Sequence, residues 1–277
     1  MNGVGKLNEI LSETAMKNHR PGFRVLLIIA ALSFGCSKPI HETKSTQPAT
    51  AAVANMPGST EAVSPDTEAP HIDCPLRKQG INPNMLKPFE DTEKYIQFLE
   101  RPDRALWQKP DELIKALHLT GSEKIADIGA GSGYFTFRFA RAILEGKVYA
   151  IDIAPEMLRH IHHKAMMENM ANVEVIKADL DDPHVPADAD LVFICDVMHH
   201  VADKKLWLAK VSSQMRTGAK LVVVEFKEGD LPEGPPEKIK IPKSRLISMI
   251  EENIFRLEAD KSDMLPYQTF LLFIKVN

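Results

Sequence analysis

The sequence is poor in cysteine. Its three cysteines, at 36, 74 and 195, are too few and too scattered for a disulfide framework or a zinc knuckle. It has no basic excess: 34 Lys and Arg stand against 38 Asp and Glu, a net charge of -4, so the global positive field of a nucleic-acid binder is missing. No internal repeat is visible, which argues against a solenoid or array. Long apolar runs are missing too. The stretch Val25–Phe34 is about ten residues and covers roughly half of a bilayer core, too short to span it. What remains is a chain with 44% apolar residues, ordinary for a soluble enzyme.

The first part of the chain differs from the rest. In "RPGFRVLLIIAALSFGC" basic residues precede the apolar run, and Gly35 and Cys36 follow it, the pattern of a secretory signal. A start at Met16 would give the more usual lead-in "MKNHRPGFR", with the preceding residues an artefact of gene calling. "LSFGC" resembles the lipobox of bacterial lipoproteins, in which the cysteine is acylated and becomes the mature N-terminus. Leu32, however, lies four residues before Cys36 where that pattern places it three before. The alternatives are an ordinary signal peptide or an uncleaved short anchor. From Ser37 to about Pro70 the chain is rich in Ser, Thr, Ala and Pro and has no aromatic residue, so it cannot bury enough apolar surface to offset its ordering entropy. The expected organisation is a signal segment over 1–35, a disordered tether and lead-in over 36–87, and a folded domain over 88–277. That places the protein in the cell envelope, attached to the membrane through acylated Cys36 or periplasmic; the alternative is the cytoplasm.

Beyond residue 88 the pattern alternates. Helices are expected over "KPFEDTEKYIQFLE" and "KPDELIKALHL", the second with Pro110 and acids in its first turn. Strands at 124–128, 147–152, 173–177, 190–195 and 220–226 alternate with helices near 133–145, 155–168 and 203–215. Asp203 is expected as an N-cap and Gly218 as a C′ residue. A helix near 243–253 precedes closing strands near 255–261 and 269–276. Alternation of this kind implies an α/β fold: a mostly parallel sheet with helices on both faces, and a ligand at the carboxyl ends of its strands.

The turn after the first of these strands reads "ADIGAGSGYFT". A dinucleotide fingerprint needs its third glycine at 134, which is Tyr134, so that reading fails. What stands there is Asp127 two residues before Gly129, with Gly131 and Gly133 following at every second position. Glycines let a backbone approach a ligand without a side-chain clash. The next strand, "KVYAID", ends in Asp152, a carboxylate that can accept from both hydroxyls of a ribose. "VEVIKADLDD" and "DADLVFICDVMHHV" follow, carrying Asp179, Leu180, Asp196 and the pair His199–His200.

This DxGxGxG turn, with the segments that follow it in order, resembles the class I S-adenosylmethionine-dependent methyltransferases, in particular the quinone-biosynthesis-type small-molecule group. The resemblance runs from about residue 105 onward and implies a Rossmann-like, seven-stranded, mostly parallel sheet with an antiparallel last strand. It implies S-adenosyl-L-methionine as cofactor, with Asp127 organising the turn and the cofactor's amino group, Gly129, Gly131 and Gly133 beneath it, and Asp152 on the ribose. Asp179 and Leu180 would meet the adenine, and Asp196 would sit beneath the methionine end. Tyr134 would face the sulfur or simply pack. Two departures stand outside that site: "RTGA" replaces the usual "PGG", and Asn253 stands where a glycine often ends the last helix.

Methyl transfer is an in-line displacement in which the protein mainly aligns and desolvates. A base is needed only if the acceptor loses a proton; His199 and His200 are the candidates, with packing beside the cofactor or fixing the loop as the alternative. Acceptor-side residues are sought in "ERPDRALWQKP" (Arg101, Arg104, Trp107), in the loop 227–242 and at Tyr267; a solvated helix end with one anchoring Trp is the competing reading. The acceptor is expected to be a small molecule, and the cysteines form no metal or arsenic set. Two further readings stay open: a non-catalytic cofactor-binding module on an envelope tether, and a nicotinamide-dependent oxidoreductase.

Overall fold

The computed structural model describes Gln79 and residues 90–277. The expected signal segment, Cys36, Cys74 and the tether lie outside the described residues. Among those residues no helix is long and apolar enough to cross a membrane.

Three helices open the domain: α1 (Glu90–Leu99), α2 (Arg104–Gln108) and α3 (Pro110–Ala116). There follow β1 (Lys124–Ile128), α4 (Thr136–Ala142), β2 (Lys147–Asp152), α5 (Pro155–Met167), β3 (Val173–Lys177) and β4 (Leu191–Cys195). After a 3₁₀ turn over Met198–His200 come α6 (Lys204–Gln214), β5 (Lys220–Phe226), α7 (Lys243–Glu251), β6 (Phe255–Asp260) and β7 (Gln268–Lys275). The seven strands lie in the order β3-β2-β1-β4-β5-β7-β6. All neighbours from β3 to β5 are parallel, and β7 runs antiparallel to both β5 and β6.

The β-branched and aromatic runs of β1, β4, β5 and β7 are buried on both faces, as a covered parallel sheet requires. Period-two alternation sorts them. Val192, Ile194, Leu221 and Val223 face α6 and α7, whose Trp207, Leu208, Val211, Leu246 and Ile250 recur at helical spacing. Ile125, Phe193, Val222 and Val224 face α3 and α4. There Phe193 is fully buried between Phe135 and Phe139, with ring centroids 4.8 and 5.0 Å away. Trimming Phe193 to Ala would cost about 3–5 kcal/mol.

The chain leaves β1 toward β2 and β3, then returns to lay β4 on the other side of β1. That reversal opens a crevice at the carboxyl ends of β1 and β4, where such sheets hold ligands.

Local details refine the sequence reading. Asp203 caps α6, its carboxylate accepting from the Leu206 N–H at 3.0 Å. Gly218 is not the C′ residue. The helix closes at Met215, and Gly218 turns at φ +82° into β5, its N–H given to the Lys275 carbonyl. The left-handed residue after α7 is Ile254 (φ 63°), not Asn253; Asn253 closes the helix with its side chain, which donates to the Met249 carbonyl at 2.9 Å. On the β3 edge the Gln79 amide donates to the Val175 carbonyl at 2.7 Å and accepts from the Lys177 N–H at 2.5 Å.

Candidate functional site

The glycine turn is drawn tight by β2. The Gly129 and Ala130 N–H groups both reach the Ile151 carbonyl, at 2.8 and 3.0 Å. Gly129 has φ +71°, and a β-carbon there would collide with Cγ2 of Val197, so the turn and the segment after β4 meet backbone to side chain. Asp127 is buried behind the turn and accepts from the Thr136 hydroxyl at 2.6 Å, which ties β1 to the first residue of α4. Burial pushes its carboxyl up to about 7, against the Thr136 hydrogen bond and the positive charge of Arg104. Asp152, at the end of β2, accepts from the Gly131 N–H and the Ala154 N–H, each at 2.8 Å. Burial raises its carboxyl as well, against those same bonds. Two oxygens offer about four lone-pair sites, and with the Ile153 N–H also close the backbone does not use them all.

Asp179 and Leu180 follow β3 at the open rim, where Leu180 is exposed. Asp179 meets the His184 ring at 2.8 Å. The loop is anchored by Asp182. Burial opposes its charge, but the Gln214 amide, the His184 N–H and Lys210 hold its carboxyl down at about 2.

The opposite wall is made of side chains. Asp196 follows β4 at φ 60°, a strained conformation for a non-glycine residue. Its carboxylate accepts from Gln268 on β7 at 2.7 Å and from Gln108 on α2 at 3.1 Å, and both glutamines are fully buried. Burial, with Glu225 nearby, pushes Asp196 up to about 6. Glu225, on β5, accepts from the Met198 N–H at 2.6 Å and meets His199 Nδ1 at 2.8 Å. Burial works against a charged His199, but Glu225 and Asp196 hold it above its ordinary value. His200, its ring 4.1 Å from that of His199, is pushed down to about 4 by burial and by that neighbouring charge.

The first helices cover the crevice. Tyr95 of α1 has its phenol pushed up to about 12 by burial and by the carboxylate of Asp152, with Asp196 adding to the effect. Leu99 lies against Gly131, with Cδ1 only 3.2 Å from where a β-carbon would stand. Tyr134 is buried between two guanidiniums, Arg104 at 4.1 Å and Arg138 at 3.9 Å from its ring centre. Trp107 packs on Phe226 and Tyr267 at 5.6 and 6.2 Å, and Arg101 lies over it while pairing with Asp103 and Glu233. The two walls bring Asp127, the glycine turn, Tyr134, Asp152, Asp196, His199 and His200 beside four residues the sequence did not supply, Tyr95, Gln108, Glu225 and Gln268, while Asp179 and Leu180 stand apart on the rim after β3. One of the four carried a signal. Glu225 interrupts the apolar run "KLVVVEF", and a carboxylate inside a covered strand must find partners.

Residues 119–264 match the family model of a methyltransferase domain. The chain belongs to that family. Its cofactor is S-adenosyl-L-methionine, and the site fits it: a tight turn whose Gly129 and Gly133 leave no room for a β-carbon, and buried acids at the strand ends for a ligand bearing cations and hydroxyls. Among relatives, a malonyl-[acyl-carrier protein] O-methyltransferase of Hahella chejuensis is 31% identical over 103 residues, 36% of this chain and 35% of its own. A demethylmenaquinone methyltransferase of Tropheryma whipplei is 28% identical over 138 residues, 50% and 54% of the two chains. The chain thus spans about a third to a half of the length of these curated relatives. A crystal structure of an S-adenosylmethionine-dependent methyltransferase from Aquifex aeolicus superposes with TM-score 0.61 at 23% identity, covering 67% of this chain and 98% of that one, a likeness of fold. The methyltransferase domain accounts for the seven-stranded sheet and for the position of its crevice.

Proposed function

We propose that this methyltransferase domain transfers a methyl group from S-adenosyl-L-methionine to a small-molecule acceptor. The observation that carries the reading is the acid-lined crevice at the β1/β4 reversal, with the glycine turn as its floor. When bound, the cofactor supplies an electrophilic methyl group on a sulfonium. The protein's part is alignment and exclusion of water. Asp152 keeps acceptor capacity for the ribose hydroxyls, Asp179 and the exposed Leu180 receive the adenine, and Asp127 and Asp196 face the cationic methionine end.

The two histidines are held differently. His199 holds its proton toward Glu225, and His200 at about 4 is a weak acceptor. The reading therefore assigns His199 to positioning the segment after β4 and favours an acceptor that arrives as its own nucleophile. The ring cluster Trp107–Phe226–Tyr267 suits a flat acceptor. The relative named for demethylmenaquinone supports that class. The test is calorimetry with S-adenosylhomocysteine, followed by transfer of radiolabel from the donor into a metabolite extract. A folded domain that binds no S-adenosylhomocysteine would sink the assignment.

The location is a separate proposal, resting on residues 20–36 and the tether alone: export, with Cys36 acylated. It sets the enzyme apart from the cytoplasmic donor pool. Cell fractionation with mass spectrometry of the mature N-terminus tests it; a cytoplasmic protein with residues before Cys36 intact would refute it.

A further inference from the structure

The loop after β3 is clamped more tightly than a solvated turn requires. His184 stands in it at φ 52°, in the left-handed region that a β-carbon disfavours. Such a conformation persists only where the surroundings over-determine it. Here they do. The His184 N–H donates to Oδ1 of Asp182 at 3.0 Å, and the Asp179 N–H donates to the Asp182 carbonyl at 2.9 Å. Gln214 of α6 grips the loop twice: its Nε2 donates to Oδ1 of Asp182 at 2.6 Å, and its Oε1 accepts from the Val185 N–H at 2.7 Å. Lys210, one turn earlier on α6, donates to Oδ2 of Asp182 at 3.1 Å.

The clamp fixes where the His184 ring goes. Its Nε2 lies 2.8 Å from Oδ2 of Asp179, and its Nδ1 lies 3.5 Å from Oδ1 of Asp182. A carboxylate only accepts, so the Nε2–H is the donor to Asp179. Among the described residues no hydrogen bond reaches Oδ1 of Asp179, and its side chain keeps 64% of its surface exposed. The carboxylate is thus held at one oxygen and open at the other. An unheld carboxylate on an exposed rim loses rotamer freedom when a ligand arrives, and that cost comes out of the affinity. A carboxylate already held loses less.

We propose that His184 is a positioning residue for the base of the cofactor. Its imidazole holds Oδ2 of Asp179 and leaves Oδ1 to accept from the 6-amino group of adenine. The pair thereby selects a 6-amino over a 6-oxo base, because a carboxylate fixed as an acceptor has no proton to offer a carbonyl and would face it unpaired. The inference rests on the assignment of Asp179 to the adenine.

The test is calorimetry with S-adenosylhomocysteine and with S-inosylhomocysteine, in which a carbonyl replaces the 6-amino group. It compares the wild-type protein with Asp179→Asn, His184→Gly and His184→Gln. The wild type is expected to prefer S-adenosylhomocysteine by about 10- to 100-fold. Asp179→Asn should abolish the preference, since an amide can turn its donor to a carbonyl. Glycine takes φ 52° without strain, so His184→Gly removes the ring and keeps the path of the loop; its melting temperature is expected to hold or rise. It should bind S-adenosylhomocysteine about 3- to 10-fold more weakly and S-inosylhomocysteine unchanged within twofold. His184→Gln, which keeps an N–H donor on a side chain of similar reach, should restore most of the preference.

A His184→Gly protein that keeps the wild-type preference while Asp179→Asn loses it overturns the proposal, because Asp179 then reads the amine unaided. Equal weakening of both ligands by His184→Gly overturns it too, since the ring then only shapes the loop. A wild type that binds both ligands equally overturns the assignment of Asp179 along with it and leaves cofactor binding standing. A wild type that binds neither overturns the cofactor reading itself.

Discussion

On the β1–β2 wall, Asp152 is satisfied by backbone N–H groups from Gly131 and Ala154, and Asp127 by a hydroxyl nine residues away. On the β4–β5–β7 wall, Asp196 is held by amides 72 and 88 residues distant, and Glu225 by His199 and the Met198 N–H. The first wall is a turn that happens to carry acids; the second is a buried side-chain network assembled from four elements. The difference bears on tolerance. A backbone-held acid depends on the shape of its turn, whereas a networked acid depends on every partner, because a half-satisfied buried network is worse than none.

If that contrast holds, the largest effect belongs to the networked wall. Glu225→Ala leaves a buried imidazolium unpaired and the Met198 N–H unsatisfied, so unfolding by denaturant should show a loss of about 3–5 kcal/mol. A loss below about 1 kcal/mol would mean that the pair carries no charge. The wild-type pH profile sharpens this. His199 is raised in the fold, so its stabilisation is complete below the unfolded value of about 6.5 and fades as pH rises through its folded value. His199→Gln should remove that slope.

The turn wall should break by shape. Gly129→Ala adds a β-carbon at positive φ into Val197, and a loss of about 1–3 kcal/mol with collapse of S-adenosylhomocysteine binding is expected from thermal unfolding and calorimetry. Unchanged binding would show that the turn yields without consequence.

A subtler measurement uses Asp127. With its carboxyl near 7 in the ligand-free fold, affinity for the cationic cofactor should rise roughly tenfold between pH 5.5 and 7.5, and Asp127→Asn should flatten much of that rise. The sign for stability is the reverse. The fold holds this proton more tightly than the unfolded chain, so stability falls as pH rises from about 4 toward 7. The smallest effect is expected from Gln268→Ala, about 1 kcal/mol in stability with Asp196 titrating higher, as Gln108 still donates.

The same contrast separates what the sequence disclosed from what it concealed. β1, β2, β3 and β5 have the bounds read from apolar runs between turn residues, and the glycine turn with its acids is local in the chain. Local chemistry is legible because partner and residue share one stretch. Gln108 and Gln268 were not legible, since their partner lies dozens of residues away and glutamine carries no signature. The short helix α2 was missed because five residues show no period. The ends of α6 and α7 were misjudged for a different reason: glycine and asparagine mark a tolerance for the left-handed conformation, yet tertiary packing gave it to Ile254 and displaced Gly218 into the next turn.

The antiparallel seat of β7 between β5 and β6 has a consequence for how the molecule is made. Gln268, which clamps Asp196, lies on the strand that comes last in chain order among those described, and the pairing of Val224 with Phe270 joins segments that emerge at different times. A nascent chain can thus form the glycine turn and the β1–β2–β3 half while Asp196 still lacks its β7 donor. A product clipped before β7 would keep the local contacts of the glycine turn and lose the donor that completes the opposite wall.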